Sequence, residues 1–254
     1  MSPTPFSKFF ITFWSTVVDI NAFISLCETN GIQCGRAEAE KLSEFADFLL
    51  SENEKYNLTA IREPRALMLR HLCDSLTLLK YVPENARVLD IGSGAGFPSV
   101  PLAVCRPDVT VTALDSTAKK ISFISASASK LGLSNLTAIS ARAEELAHDH
   151  AYRGAFDIVT ARAVSRTSVL TELAAAYIRE GGCLLAMKGE PDTTAAELSD
   201  AAAIARRVGL SHERTVSLSL HDETESLART IVIMKKTGST PASYPRRYSQ
   251  IIKN

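Results

Sequence analysis

Apolar positions recur at helical spacing through the first third of the chain. Residues 19–30 and 37–54 each carry one apolar stripe, which in the second includes Leu42 and Phe45, opposite charged residues. A third helix is predicted over 67–80. Because all three precede the first strand, we expect them to flank or cover the site.

Short apolar, β-branched runs then alternate with helical patterns. The predicted strands are 87–91, 109–115, 136–141, 156–162, 183–188 and 229–235, and the predicted helices are 97–105, 118–131, 168–179 and 192–208. This alternation is typical of an α/β fold with a mostly parallel sheet and helices on both faces. Residues 212–220 predict a further antiparallel edge strand.

The pattern divides the chain into four segments. They are an N-terminal extension (1–18), flanking helices (19–82), the α/β domain (83–237) and a basic tail (238–254). With 254 residues, of which 46% are hydrophobic, one sizeable core is expected.

Net charge is zero, so no global field draws the protein to nucleic acid or membrane, and a polyanion must meet a local basic patch. The aromatic stretch 9–14 is too short to span a bilayer. We therefore predict a soluble, cytoplasmic protein with no membrane partner.

The cysteines favour a reducing compartment. Five are present, an odd number scattered along the chain without a C-x-x-C pair: Cys27, Cys34, Cys73, Cys105 and Cys183. This spacing argues against a zinc site, and we expect these residues to be small buried hydrophobes.

A glycine-rich turn follows the first predicted strand. Asp90 precedes Gly92, Gly94 and Gly96, and Phe97 stands one residue later, where the dinucleotide fingerprint G-x-G-x-x-G requires glycine. Phe-Pro at that point suits a cofactor with no phosphate to cradle, such as S-adenosylmethionine. A structural loop with left-handed turns would show the same pattern.

The second strand also ends in a carboxylate. Asp115, followed by Ser116, stands one βαβ unit after Asp90 and can accept both ribose hydroxyls of a nucleoside. Alternatively, Asp115 caps the helix that follows it, and both roles are compatible.

Three cations stand at the ends of later strands. They are Arg142, Arg162 and Lys188, and we expect them to converge on one rim, because ligands of open α/β sheets bind outside the carboxyl ends of the strands. Ala143 and Glu144 are placed to meet an adenine, although Glu144 alternatively caps the next helix.

Two other stretches carry candidate binding residues. Arg70 and Asp74 lie four residues apart in the third helix beside His71, and a surface ion pair between them is the plainer interpretation. In the tail, Arg246 and Arg247 alternate with tyrosines, which suits phosphates and unstacked bases. A disordered solubilising tail is the alternative.

Several catalytic motifs are missing from the sequence. There is no N-P-P-Y-like tetrapeptide, no Pro-Cys nucleophile and no metal-ligand cluster, so no metal is predicted. The missing base favours an acceptor that already presents a lone pair, such as guanine N7. Catalysis would then consist chiefly of alignment, which contributes roughly 7–11 kcal/mol in favourable cases.

Taken together, the motifs of this sequence resemble those of one family, the 16S ribosomal RNA guanine-N7 methyltransferase G family, also known as glucose-inhibited division protein B. The matching motifs, in order across roughly 37–250, are N-x-x-Y-N-L-T from Asn53, R-H-x-x-D-S from Arg70, D-x-G-x-G-x-G-F-P from Asp90, L-D-S from Leu114 with Lys119-Lys120, R-A-E from Arg142, T-A-R-A-V from Thr160, M-K-G from Met187 and Y-P-R-R from Tyr244.

The resemblance implies a Rossmann-like, S-adenosylmethionine-dependent methyltransferase that modifies N7 of a guanine in the 530 loop of 16S rRNA, position 527 in the family. Its partner would be the small ribosomal subunit and its state a monomer. The implied cofactor-binding positions are Asp90, Gly92, Gly94, Gly96, Phe97, Asp115, Ser116, Ala143, Glu144 and Arg162. Arg142 and Arg162 would lie nearest the transfer, and the implied substrate-binding positions are Asn57, Arg70, His71, Asp74, Lys188, Arg246 and Arg247.

Two alternatives remain open from the residues. The glycine motif and Asp115 do not identify the methyl acceptor, which could be a small molecule or a protein. A non-catalytic ribosome- or RNA-binding module could also use this fold as a scaffold.

Overall fold

A computed structural model describes residues 17–253, so the aromatic stretch 9–14 lies outside the described residues. The strands are β1 (Arg87–Ile91), β2 (Thr110–Asp115), β3 (Leu136–Ser140), β4 (Phe156–Arg162), β5 (Ile178–Lys188), β6 (Leu210–His221) and β7 (Ser226–Lys236).

The α-helices are α1 (Ile20–Thr29), α2 (Arg36–Tyr56), α3 (Pro64–Leu67), α4 (Asp74–Leu76), α5 (Ser99–Cys105), α6 (Ala118–Leu131), α7 (Ala143–Leu146), α8 (Thr167–Ala175), α9 (Pro191–Arg207) and α10 (Tyr248–Ile251). A π-helical segment, Met68–Cys73, joins α3 to α4, and a 3-10 turn follows at Leu79–Tyr81. Within residues 17–253 we find no helix of the length and apolarity that crossing a bilayer requires.

The seven strands form one sheet in the order β3-β2-β1-β4-β5-β7-β6. The first five strands pair in parallel, and β7 runs antiparallel to both β5 and the edge strand β6. The predicted fold class, a Rossmann-like mostly parallel sheet with an added edge strand, is therefore confirmed.

Successive strand residues enter different cores because side chains alternate across a strand. In β1, Val88 packs with the N-terminal helices, α5 and α6, whereas Leu89 packs with α8 on the other face. Both faces are covered, which explains why the central strands are almost continuously apolar.

The N-terminal helices join the first of these cores through aromatic rings. Phe45 of α2 lies 5.3 Å from Phe97 and 6.0 Å from Phe123, centroid to centroid. Phe97 comes directly after the glycine-rich turn, so α2 supports the candidate site from behind.

Two helix boundaries within the α/β domain differ by two or more residues from the sequence prediction. Helix α5 begins at Ser99 instead of Phe97, because Gly96 is still in a left-handed conformation (φ +91°). Helix α8 ends at Ala175, and β5 begins at Ile178, which pairs with Phe156. The helix-forming alanines before Tyr177 concealed that boundary.

The predicted ion pair between Arg70 and Asp74 is wrong. The two residues lie in and directly after the π-helical segment, where the backbone bonds span five residues instead of four and side chains four apart no longer share a face. Arg70 pairs instead with Glu225, with Nε 3.0 Å from Oε1.

The C-terminal tail is folded against the domain, which contradicts the alternative of a disordered tail. Arg246 donates from Nε to Oε1 of Glu172 at 2.9 Å and from Nη2 to Oε2 at 2.6 Å. Glu172 is almost fully buried in α8, and Ile251 packs against Leu173 of the same helix. Arg246 is thus a structural anchor of the tail.

We expect Arg246→Ala to destabilise the protein by about 2 kcal/mol, since it leaves the buried Glu172 carboxylate without a charged donor. Cleavage by trypsin at the adjacent exposed Arg247 should become faster. Urea unfolding and limited proteolysis measure both effects. Arg247→Ala is the matched control for stability, and equal unfolding midpoints for the two variants would contradict the anchoring role.

Candidate active site

The glycine-rich turn lies against the end of β2. The Gly92 N–H donates to the Leu114 carbonyl at 2.7 Å, with Gly92 at φ +68°, and an added Cβ would come within 2.7 Å of Val164. Only glycine satisfies both constraints. At Gly94, by contrast, an added Cβ would meet nothing closer than a carbonyl at 3.9 Å, so this part of the turn faces open space.

Asp90 lies behind the turn and is fully buried. Its carboxylate accepts from the Thr160 hydroxyl at 3.1 Å and from the Ser99 N–H at 3.2 Å, which links β1 to β4 and to the start of α5. Burial raises the pKa of Asp90 to about 7, against the opposing effect of these hydrogen bonds. Through these contacts Asp90 supports the turn from behind.

Asp115 ties the turn to the next helix. Its Oδ2 accepts from the Gly94 N–H at 3.0 Å, and its Oδ1 accepts from the Thr117 N–H at 2.8 Å, just before α6. Asp115 therefore does not cap α6, because Thr117 is the residue before the helix and, within residues 17–253, no side chain bonds the N–H groups of its first turn. Lys120 adds a weaker ion pair at 3.7 Å.

A small cavity of about 190 Å³ opens beside Asp115. It is lined by Ser116, Ala143 and Glu144 and also by Tyr248 from the folded tail. Arg142 pairs with Glu144 at 3.0 Å, and its guanidinium lies 4.9 Å from the centre of the Tyr248 ring. The tail thereby completes one wall that the strand ends alone would leave open.

A larger cleft of about 520 Å³ lies on the other side of the turn. Its lining combines six parts of the chain: Leu58, Thr59, Ile61, Arg70, His71, Asp74, Gly92, Ser93, Gly94, Ala95, Phe97, Arg162, Ala163, Met187, Lys188, Gly189 and Arg229. Gly92 lines both the cavity and the cleft. The two spaces therefore meet at the glycine turn, outside the carboxyl ends of the strands.

Arg162, His71 and Phe97 form a stack in the larger cleft. The rings of His71 and Phe97 are 4.5 Å apart at 25°, and the Arg162 guanidinium lies 5.2 Å from the Phe97 centroid. Arg162 also donates to the Arg70 carbonyl at 2.9 Å. Together these contacts fix the plane of the guanidinium.

Asp74 links this stack to strand β7. One carboxylate oxygen lies 3.2 Å from Arg162 and the other 3.0 Å from Arg229 on β7, while the Asp74 side chain is only 6% exposed. Buried carboxylates are stable when both oxygens are paired in this way. Arg229 was not singled out in the sequence.

His71 is held as a neutral ring. Its Nδ1 lies 3.1 Å from Arg162 Nη2, and its Nε2 lies 2.9 Å from the Thr59 hydroxyl. The Arg70 carbonyl also lies 3.1 Å from Nδ1, so Nδ1 faces both a donor and an acceptor, and Nε2 faces a hydroxyl that can donate or accept. Burial, with the charges of Arg162 and Arg229, lowers the pKa of His71 to about 3.

This lowered pKa predicts an acid-dependent loss of stability. The folded protein binds a proton at His71 only near pH 3, whereas the unfolded chain binds it near pH 6.5. The stabilisation is therefore complete above pH 6.5 and is lost as the pH falls. Relative to His71→Gln, we expect wild type to lose about 1.4 kcal/mol per pH unit between pH 6 and 4.

Urea unfolding of both proteins across that range measures the effect. The buried Asp90 has the opposite dependence but is common to both proteins, so it cancels in the difference. A free-energy difference that stays constant from pH 7 to pH 4 would contradict the buried neutral histidine.

The loop after α2 is positioned by a residue that the sequence analysis did not single out for a role. The Asn53 side chain, 2% exposed, donates to the Thr59 carbonyl and accepts from the Thr59 N–H, both at 2.9 Å. This brings Thr59 to His71. The predicted Asn57 is instead exposed at the end of α2, in the left-handed conformation.

The predicted cations are divided between the two spaces, and each has an acidic partner. Lys188 lines the larger cleft with Arg162, but its ammonium lies 2.7 Å from Glu197 and 2.8 Å from the Ser165 carbonyl. Arg142 lines the smaller cavity. The expected convergence at one edge is present, although Lys188 points its charge toward α9.

Across residues 17–253, no group of three or more histidine, cysteine or acidic side chains is arranged to hold a metal ion. The site combines a bent backbone that is open at Gly94, the Asp115 carboxylate beside the small cavity, and Arg162 at the mouth of the larger cleft. A nucleoside joined to an amino acid fits two spaces connected in this way.

Solved structures with this fold support the fold class alone. The chain aligns with a putative transferase from Pyrococcus horikoshii at a TM-score of 0.52, with 15% identity, covering 65% of this chain and 63% of that one. It aligns with TYW2 from M. jannaschii, solved in complex with AdoMet, at a TM-score of 0.52 and 14% identity, covering 64% and 74%.

Proteins that are similar in sequence identify the family as well as the fold. A family model described as rRNA small subunit methyltransferase G matches residues 38–223. The ribosomal RNA small subunit methyltransferase G of Desulfitobacterium hafniense is 40% identical over 216 residues, covering 85% of this chain and 88% of the relative. That of Lactococcus lactis subsp. lactis is 37% identical over 235 residues, covering 91% and 97%. The chain therefore belongs to the rRNA small subunit methyltransferase G family and is an rRNA methyltransferase.

Proposed function

We propose that this protein transfers a methyl group from S-adenosylmethionine to N7 of a guanine in the 530 loop of 16S rRNA, at the position numbered 527 in the family. The reaction would take place in the cytoplasm, on a monomeric enzyme and with the small ribosomal subunit as partner. The observation that carries the choice of acceptor atom is the lack of an available base among the residues lining the larger cleft.

The cofactor would lie across the glycine turn. Asp115 would accept the ribose hydroxyls, and the cavity beside Ala143 and Glu144 would take the adenine. The amino-acid end would enter the larger cleft past Gly92 and Gly94. When bound, the cofactor supplies a methyl group on a positively charged sulfur, which is a strong electrophile.

The side chains beside that position cannot remove a proton from an acceptor. Both ring nitrogens of His71 are engaged, Nδ1 by Arg162 and the Arg70 carbonyl and Nε2 by Thr59, and Asp74 is engaged by two arginines. An exocyclic amine or a hydroxyl would require a base, whereas guanine N7 attacks with its own lone pair. Alignment is then the main contribution of the protein.

Arg162 is the residue we propose to orient the reacting groups. Its contacts with His71, Asp74 and Phe97 leave it one conformation at the mouth of the cleft. From there it can bind the cofactor carboxylate or the phosphate of the target nucleotide. Arg142, fixed between Glu144 and Tyr248, is placed to act on the adenine side.

The RNA would approach the exposed side of the cleft. Of the substrate-binding positions suggested by the sequence, Asn57 and Arg247 are exposed, and the Arg70 side chain is 45% exposed. A guanine in a loop costs less to unstack than a paired one, which favours a loop as the target. Lys188 and Arg246 would contribute through the elements that they hold in place.

The proposal is tested by transfer of labelled methyl from S-adenosylmethionine to small subunits isolated from cells that lack this protein. We expect one methyl group per subunit, recovered as 7-methylguanosine from the 530 loop. Arg162→Ala and heat-inactivated protein serve as controls. Naked 16S rRNA in a parallel reaction shows whether the assembled subunit is required.

Three results would overturn the proposal. Label in another nucleoside would refute N7 as the acceptor. Cofactor binding without RNA labelling would favour a small-molecule or protein acceptor. RNA binding without cofactor binding would favour a non-catalytic module.

A further inference from the structure

Ala163, the residue after Arg162, has a backbone conformation that is unusual for alanine. Within residues 17–253, three residues other than glycine adopt a positive φ: Asn57 at +50°, Asn85 at +55° and Ala163 at +54°. Asparagine enters this left-handed region readily, because its short polar side chain can bond to the nearby backbone, whereas the Cβ of alanine crowds the following carbonyl there. Of the three, Ala163 is therefore the residue whose conformation is strained.

The strained residue lies where the two spaces of the candidate active site meet. Ala163 lines the larger cleft, the next residue, Val164, lines the smaller cavity, and Gly92 lines both. A Cβ on Gly92 would come within 2.7 Å of Val164, so the two segments pack directly against each other. Residues 163–166, which we call the partition loop, thus form the boundary between the two spaces together with the glycine turn.

Contacts on both sides of the strained residue hold the partition loop in place. Before it, the Arg162 guanidinium pairs with Asp74 at 3.2 Å. After it, the Lys188 ammonium donates to the Ser165 carbonyl at 2.8 Å and pairs with Glu197 at 2.7 Å. A strained conformation persists only where the surrounding structure fixes it in this way, and such residues cluster at functional sites.

We propose that Ala163 is a positioning residue for methyl transfer, whose left-handed conformation keeps Arg162 directed to the larger cleft and Val164 to the smaller cavity. This inference rests on the proposed placement of the cofactor across the glycine turn. Glycine would make the same turn without strain, but it would also give the partition loop other conformations, because it enters regions of φ and ψ that are closed to alanine. Alanine therefore restricts the loop at the expense of stability.

Stability and activity are then expected to change in opposite directions in Ala163→Gly. Removal of the strain should raise the midpoint of urea unfolding by roughly 0.4 M. The rate of methyl transfer to small subunits, at saturating cofactor and RNA, should fall about tenfold, because the reacting groups are aligned for less of the time. The Kd of S-adenosylmethionine should change little, since Asp115 and the glycine turn are unaltered.

Asn85→Gly is the matched control. Asn85 has almost the same φ, is exposed, and precedes β1, so it lies at the opposite end of that strand from the glycine turn. Methyl transfer by Asn85→Gly should equal that of wild type. Lys188→Met loosens the partition loop by a second route, since it frees the Ser165 carbonyl. It should also slow transfer, and adding Ala163→Gly to it should slow transfer little further, because both changes act on the same loop.

Each measurement can overturn the proposal. A urea midpoint that does not rise in Ala163→Gly would refute the strain, whatever the RNA result. A higher midpoint with wild-type transfer would refute the positioning role, and full additivity with Lys188→Met would refute the shared loop. Because the rate counts every methyl group incorporated into RNA, label in a nucleoside other than 7-methylguanosine would contradict the proposed function while the comparison of the variants stands.

Discussion

Replacement of Arg162 by alanine is expected to lower methyl transfer by about 100-fold while the protein stays folded. The side chain is 16% exposed, and it is held by Asp74 and His71 above the Phe97 ring. Its loss removes the cation that we propose aligns the reacting groups. The fold should persist because Asp74 keeps its second partner, Arg229, at 3.0 Å.

Single-turnover transfer to small subunits measures the effect, with thermal unfolding of the same sample as the check on folding. Arg162→Lys retains the charge but not the two-pronged geometry, so we expect it to rescue little activity. Arg179→Ala is the matched control, since this arginine pairs with Asp157 at 2.5 Å near the start of β5 and its side chain is 55% exposed. Wild-type turnover in Arg162→Ala would refute the assignment.

Replacement of Asp74 by alanine is expected to have the largest effect on stability. It leaves Arg162 and Arg229 adjacent without the carboxylate that separates their charges. Breaking a buried ion pair by removing one partner costs about 3–5 kcal/mol. Methyl transfer should fall as well, because Arg162 loses one of the contacts that orient it.

Glu225→Ala provides the contrast. It removes the partner of Arg70, whose side chain is 45% exposed, and exposed pairs contribute about 0–1 kcal/mol. Urea unfolding of the two variants compares a buried and a half-buried carboxylate that both pair with arginines at the same cleft. A loss for Asp74→Ala no larger than that for Glu225→Ala would contradict the structural role of Asp74.

The features of the site that depend on residues close together in the chain could be predicted from the sequence. The three glycines Gly92, Gly94 and Gly96 predict a bent backbone. The β-branched runs before Asp90 and Asp115 predict that both residues lie at strand ends. Each of these features follows from local propensity and periodicity. The predicted strands accordingly recur with shifts confined mainly to their ends.

The partners of the charged residues could not be predicted in the same way. Asp74 meets Arg229 across 155 positions of sequence, and nothing local distinguishes Arg229 from other residues of an edge hairpin. The π-helical turn, which removes Arg70 from the face of Asp74, adds one residue to the hydrogen-bonded ring without a visible sequence signal. A helical ion pair was therefore the wrong prediction.

One feature of the sequence of α8 indicates that the tail folds back onto the domain, although the sequence prediction did not use it. Glu172 is a lone acid among apolar residues of α8, and a buried carboxylate requires a cation. That requirement pointed to a distant arginine, and the structure identifies it as Arg246. The positive charge attributed to RNA binding is thus used within the fold.

By itself, the sequence determined the alternation of strands and helices, the glycine turn, the carboxylates at the strand ends and the family resemblance, because these depend on residues close together in the chain. Only the tertiary structure decided which charges neutralise one another, that Tyr248 lines the cavity beside Asp115, and that the thiols of Cys27 and Cys73 meet. These depend on strand register, on one π-helical turn and on how the tail folds back, since a buried charge or thiol is defined by whichever groups surround it in space.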